Sequence, residues 1–143
     1  MVAATDYGGK FLNTFTPVIN SAWIIDSGAT DHMTFDSRQV SPVKPSSQKF
    51  VSTANGNTTL VIGEGSLTLI DTLNLDSVLV VPYLDYNLLS VSQITAALSC
   101  IVVFWPEFCV IKYIQTRQTI GCGIKRGKLY YLDLQSKDTN KLQ

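Results

Sequence analysis

The sequence predicts an all-β domain that carries one short helix. Three observations lead there. Apolar segments of strand length, several alternating with polar residues, recur from Trp23 to Leu132 and are punctuated by Gly, Pro and Asn. Asn55-Gly56 lies between two such segments, and this dipeptide is the strongest short-range signal for a hairpin. Only one stretch has convincing helical spacing: Leu88, Val91, Ile94 and Leu98, with Asn87 before them as the expected N-cap.

Taken in order, Met1 to Ser21 forms an N-terminal segment expected to be partly flexible, with Phe11 to Ile19 as a candidate edge strand. Met1 to Lys10 lacks the apolar run a signal peptide needs. Trp23-Ile24-Ile25 reads as a buried strand that delivers Asp26, Ser27 and Gly28 into an abrupt turn. A carboxylate stands at the tip, a hydroxyl can tie the loop down, and Gly28 is expected to supply backbone freedom for a tight turn. Asp, Ser and Gly are also ordinary turn residues, so the tripeptide alone does not decide for chemistry.

Asp36 to Gln48, with Pro42 and Pro45, reads as a surface loop. Lys49 to Ala54 and Thr58 to Ile62 then form the hairpin arms around Asn55-Gly56, both of which tolerate positive φ. Gly63 and Gly65 suggest a bulge or a close backbone approach, without a phosphate-binding glycine pattern. Ser66 to Ile70 alternates, Leu73 to Val81 continues into a fully apolar strand, and Pro82 stops it. Beyond the helix, Ile101 to Trp105 pairs with Phe108 to Ile114 around Pro106-Glu107. Gln118 to Ile124 and Leu129 to Leu132 follow as further strands on either side of Gly127-Lys128. The tail from Gln135 onward is polar and expected to be loose.

At 143 residues, 45% hydrophobic and 15% charged, the chain suits one compact domain with a core. Net charge is zero and no basic run occurs, so direct nucleic-acid binding is not expected. The apolar stretches are strand-sized, too short to cross a bilayer, and the chain reads as soluble and intracellular. Cys100, Cys109 and Cys122 fit neither a disulfide framework nor a zinc site and are expected as reduced, buried thiols. No metal or cofactor is expected. His32, the single histidine, either tunes activity or contacts substrate, or is hydrogen-bonded at a strand edge.

The segment Trp23-Ile24-Ile25-Asp26-Ser27-Gly28-Ala29-Thr30-Asp31-His32-Met33-Thr34 resembles the active-site motif of the retroviral-type aspartic proteases of copia-type LTR retrotransposons. The resemblance continues, in order, through Ser52-to-Asn57, Gly63-Glu64-Gly65, Val78-to-Leu84 and Asn87-to-Ile94, and covers most of Trp23 to about Phe104. It implies a retropepsin-like acid-protease fold, all-β, with a flap hairpin and one short helix near residues 88–98. The domain would span 22–134, with about 107–134 as C-terminal strands leading toward an integrase boundary, which Gly127-to-Asp133 resembles. Under this resemblance Asp26 is catalytic, and Ser27 and Gly28 support its loop. Ala29, Thr30 and Asp31, with Thr53, Ala54, Asn55, Gly56 and Asn57 of the flap, contact substrate. Thr30 departs from the family, which often has a second acidic residue there.

Aspartic-protease chemistry needs two facing carboxylates that share a proton. The chain has no second Asp-Ser-Gly or Asp-Thr-Gly, so an active enzyme would be a homodimer with one Asp26 from each subunit. The implied substrate is a Gag-Pol polyprotein, cleaved in the cytoplasm within virus-like particles. Two other readings stand beside it. One is a catalytically silent dimerisation or peptide-binding module. The other is a glycosidase, for which Glu64 and Glu107 offer no persuasive acid pair.

Overall fold

The structure, a computed structural model, describes residues 22–134. The expectations for 1–21 and for the tail from Gln135 lie outside the described residues. Among the described residues twelve strands and one α-helix follow one another: β1 (Trp23–Asp26), β2 (His32–Thr34), β3 (Ser41–Lys44), β4 (Phe50–Ser52), β5 (Thr58–Leu60), β6 (Gly63–Ile70), β7 (Leu73–Val80), β8 (Asn87–Ser90), α1 (Val91–Leu98), β9 (Cys100–Phe104), β10 (Phe108–Tyr113), β11 (Thr119–Arg126) and β12 (Leu129–Leu132). The domain is all-β with one short helix.

Ten strands form one sheet in the order β3-β6-β7-β2-β8-β1-β12-β11-β10-β9, and β4-β5 stands as a separate hairpin. Its centre matters most. β8 runs between β1 and β2, parallel to β1 and antiparallel to β2. The chain leaving β1 must therefore arch over the end of β8 before it returns as β2, and Asp26 begins that arch. Side-chain alternation sends Trp23 and Ile25 to one face and Ile24 and Asp26 to the other. Trp23 and Ile25 join the larger core with Val78, Val80, Leu89, Ile94 and Ile111. Ile24 joins a second cluster with Met33, Leu79, Val81, Leu88 and the hairpin residues Val51 and Val61. The hairpin thus rests, by its base, on the face from which the Asp26 side chain projects.

Several local expectations are corrected. Asn87 does not cap the helix: it lies in β8, fully buried, where Thr34 Oγ1 donates to its Oδ1 at 2.6 Å and its Nδ2 donates to Ala22 O at 2.8 Å. The polar side chain pairs inside the sheet, and the cap falls to Ser90. The stretch 36–48 is not all loop, because Ser37–Gln39 forms a 3-10 turn and β3 pairs with β6. At the hairpin tip only Gly56 has positive φ, at 91°, and Gly56 N donates to Thr53 O at 3.0 Å. The turn is a longer type than the two-residue form in which Asn55 would also be left-handed. Gly65 fits the expected close approach: an added Cβ would lie 2.6 Å from Pro42 O.

Candidate active-site loop

Asp26 ends β1 half-buried, followed by exposed Ser27 and Gly28. Gly28 N donates to Asp26 Oδ1 at 2.8 Å, so the carboxylate itself closes the turn. Gly28 is absent from the positive-φ residues, which corrects the expectation that left-handed backbone is needed here. Nor is space tight: an added Cβ would meet only Asp26 Oδ1, at 3.4 Å, an ordinary contact.

The rest of the loop is held from behind. Ser90 Oγ donates to Ala29 O at 2.7 Å, and Gln93 Nε2 donates to Thr30 O at 2.9 Å. Thr30 Oγ1 donates to Asp31 Oδ2 at 3.0 Å. His32 is 5% exposed and accepts the Ser90 N–H through Nδ1 at 3.0 Å. It is hydrogen-bonded, but within a central strand and not at an edge. Burial lowers its pKa from 6.5 to about 4 against the opposing charge of Asp31, so the ring is neutral at pH 7.

The structure brings Asp26, Ser27, Gly28, Ala29, Thr30 and Asp31 together in one arch. Thr53, Ala54, Asn55, Gly56 and Asn57 sit apart at the hairpin tip, where their hydrogen bonds are internal: Thr53 N to Asn57 O at 2.7 Å and Asn57 N to Asn55 Oδ1 at 3.2 Å. The register beneath the arch is an in-line apolar row. Phe108, Ile124, Tyr131, Ile24, Leu88, Met33 and Leu79 are successive cross-strand partners on one face, spanning β10 to β7. Ile24 to Leu79 are buried beneath the hairpin base, while Phe108 and Ile124 remain 42% and 46% exposed.

The residues missed in sequence are Ser90 and Gln93. Their signal was legible, since Ser-x-x-Gln is a capping-box pattern. A groove of about 410 Å³ lined by Phe35, Asp36, Arg38, Ile62 and Pro82 lies at the far end of β2 from the Asp26 arch. No group of three His, Cys, Asp or Glu able to hold a metal occurs among the described residues. The three cysteines are free, Cys100 and Cys109 buried and Cys122 half-buried, and burial pushes the Cys109 thiol up to about 11.

Sheet and arch together define an all-β domain whose central strands present the Asp26 carboxylate loop on the face against which the hairpin base packs. A family described as "Pol polyprotein, beta-barrel domain" matches residues 23–98, over half of the chain, and the chain belongs to that family. It is 32% identical over 119 residues to the Retrovirus-related Pol polyprotein from transposon RE1 of Arabidopsis thaliana. Identity to the corresponding polyprotein from transposon RE2 of the same plant is 31% over 119 residues. Each match covers 80% of this chain and 8% of the relative, so the chain spans about 8% of the length of the polyproteins it matches.

Proposed function

We propose that this domain is an aspartic endopeptidase with a retropepsin-like fold, from a copia-type element. It acts as a homodimer with Asp26 of each subunit facing its counterpart. The observation that carries the reading is the arch: Asp26 ends a strand whose parallel neighbour β8 runs between the two limbs of the loop, and the hairpin base packs on the same face. Across a two-fold axis the two carboxylates would share one proton, because like charges that close cannot both ionise cheaply. The ionised partner takes a proton from a bound water, which attacks the scissile carbonyl, and the protonated partner hydrogen-bonds to the oxyanion. Ser27 hydroxyls would bond across the axis. The hairpin would close on an extended peptide, which the backbone of Ala29, Thr30 and Asp31 holds from the other side.

The substrate proposed is the element's own Gag-Pol polyprotein, processed in the cytoplasm within virus-like particles. Support is the kinship to retrotransposon Pol polyproteins. The test is cleavage of a peptide library by wild type and Asp26→Asn, from about pH 4 to 7. Activity in the wild type alone, rising faster than linearly with protein concentration, is the expected result. Equal cleavage by both proteins would remove Asp26 from the mechanism. Cleavage by neither, in a longer precursor as well, would leave a silent peptide-binding module.

A further inference from the structure

The start of α1 carries a capping pattern that is only half used for capping. In a capping box the first side chain accepts from the N3 amide, and the Gln side chain returns to the N–H of the cap residue. The first half is made, since Ser90 Oγ accepts from Gln93 N at 3.2 Å. The second half is displaced. The Ser90 N–H donates to His32 Nδ1 on the adjacent strand, so the Gln93 side chain has no capping bond left to make there. Its Nε2 reaches Thr30 O instead, at 2.9 Å. The Ser90 hydroxyl, which also approaches Ser92 Oγ at 3.2 Å, gives its proton to Ala29 O at 2.7 Å. Two consecutive carbonyls of the Asp26 arch are therefore held from one helix end.

We infer that Ser90 and Gln93 are positioning residues for the Asp26 loop, and that His32 frees Gln93 for this role by taking the Ser90 N–H. What this does to turnover rests on the protease reading above; the tether itself does not. A hydrolytic pair needs its carboxylates fixed to fractions of an ångström, and an exposed loop without such tethers would sample many geometries. The inward bonds at Ala29 and Thr30 anchor the chain just after the carboxylate.

A residue serving only the helix behaves differently from a tether, and Gln93→Glu separates them. At neutral pH a carboxylate near a helix N-terminus is favourable, so a merely structural role predicts an unchanged or raised melting temperature and an unchanged loop. Glu cannot donate to Thr30 O. Backbone order parameters for Gly28 to Asp31 are to be measured by NMR relaxation in wild type, Gln93→Glu, Ser90→Ala and Ser90→Thr, alongside thermal unfolding. In Gln93→Glu the loop values should fall from about 0.85 to below about 0.6 while the melting temperature holds. Ser90→Ala should loosen the same residues and Ser90→Thr should restore them. An unchanged loop in Gln93→Glu, or loosening shared equally by β6 and β7, would overturn the inference. If the wild type hydrolyses peptide, kcat should fall about tenfold with KM unchanged. A wild type that cleaves nothing, in a longer precursor as well, with a loop that still loosens, sinks the protease reading and leaves the tether standing.

Discussion

His32 shows how one buried side chain sets a pH limit. Its Nδ1 accepts a backbone N–H and its ring is 5% exposed, so a second proton would cost an acceptor and bury a charge. Burial lowers the folded-state pKa from 6.5 to about 4. The unfolded chain therefore takes up this proton first as pH falls. Stability is complete above pH 6.5, is lost progressively as pH drops toward 4, and levels off below that. The loss attributable to this group is about 3 kcal/mol. Urea denaturation at several pH values checks it: His32→Gln, which keeps an acceptor but does not titrate, should lose less stability on acidification than the wild type. Equal slopes would remove His32 from the account.

At the scale of elements, β8 joins the two halves of the core. Leu88 points into the cluster under the hairpin and Leu89 into the larger cluster on the other face. Leu89 is fully buried, and Leu89→Ala should destabilise by about 2–5 kcal/mol in chemical denaturation. The β3–β6 pairing depends on a small residue. A Cβ at Gly65 would lie 2.6 Å from the backbone oxygen of Pro42 and 3.1 Å from Val40 Cβ, so the strand itself must shift. Gly65→Ala should cost about 1–3 kcal/mol. Its exchange protection should fall first along Ser41–Lys44, whereas a uniform loss would mean that the strain is not local.

For the whole molecule, the ten-stranded sheet places the Asp26 loop at the end of its central strands. The row from Phe108 to Leu79 shows that the C-terminal strands continue the face on which Asp26 lies, so β9 to β12 belong to the same sheet as the loop. One carboxylate loop per chain makes the active site and the dimer one object under the proposed function. Specific activity should therefore fall on dilution in parallel with dimer content measured by sedimentation. Activity independent of concentration, in a protein that sediments as a monomer, would exclude the shared site.

Local patterns determined much of this protein. Alternation and turn residues marked the strands from Trp23 to Leu132. Asn55-Gly56 marked the hairpin, and Trp-Ile-Ile-Asp-Ser-Gly marked the loop, because each signal is written in neighbouring residues. Helical spacing found α1 but started it too early, since Leu88 and Leu89 are apolar for different reasons. They lie on opposite faces of a strand that separates two cores. Asn87 looked like a cap because its side chain suits one, and burial opposite Thr34 decided otherwise. Only the tertiary structure decided that β8 runs between β1 and β2. That one insertion brings Ser90 and Gln93 to the loop and to His32 behind it, some 60 residues earlier in the chain. No local periodicity encodes it, because strand order is set by which apolar faces bury together, a property of the whole sheet.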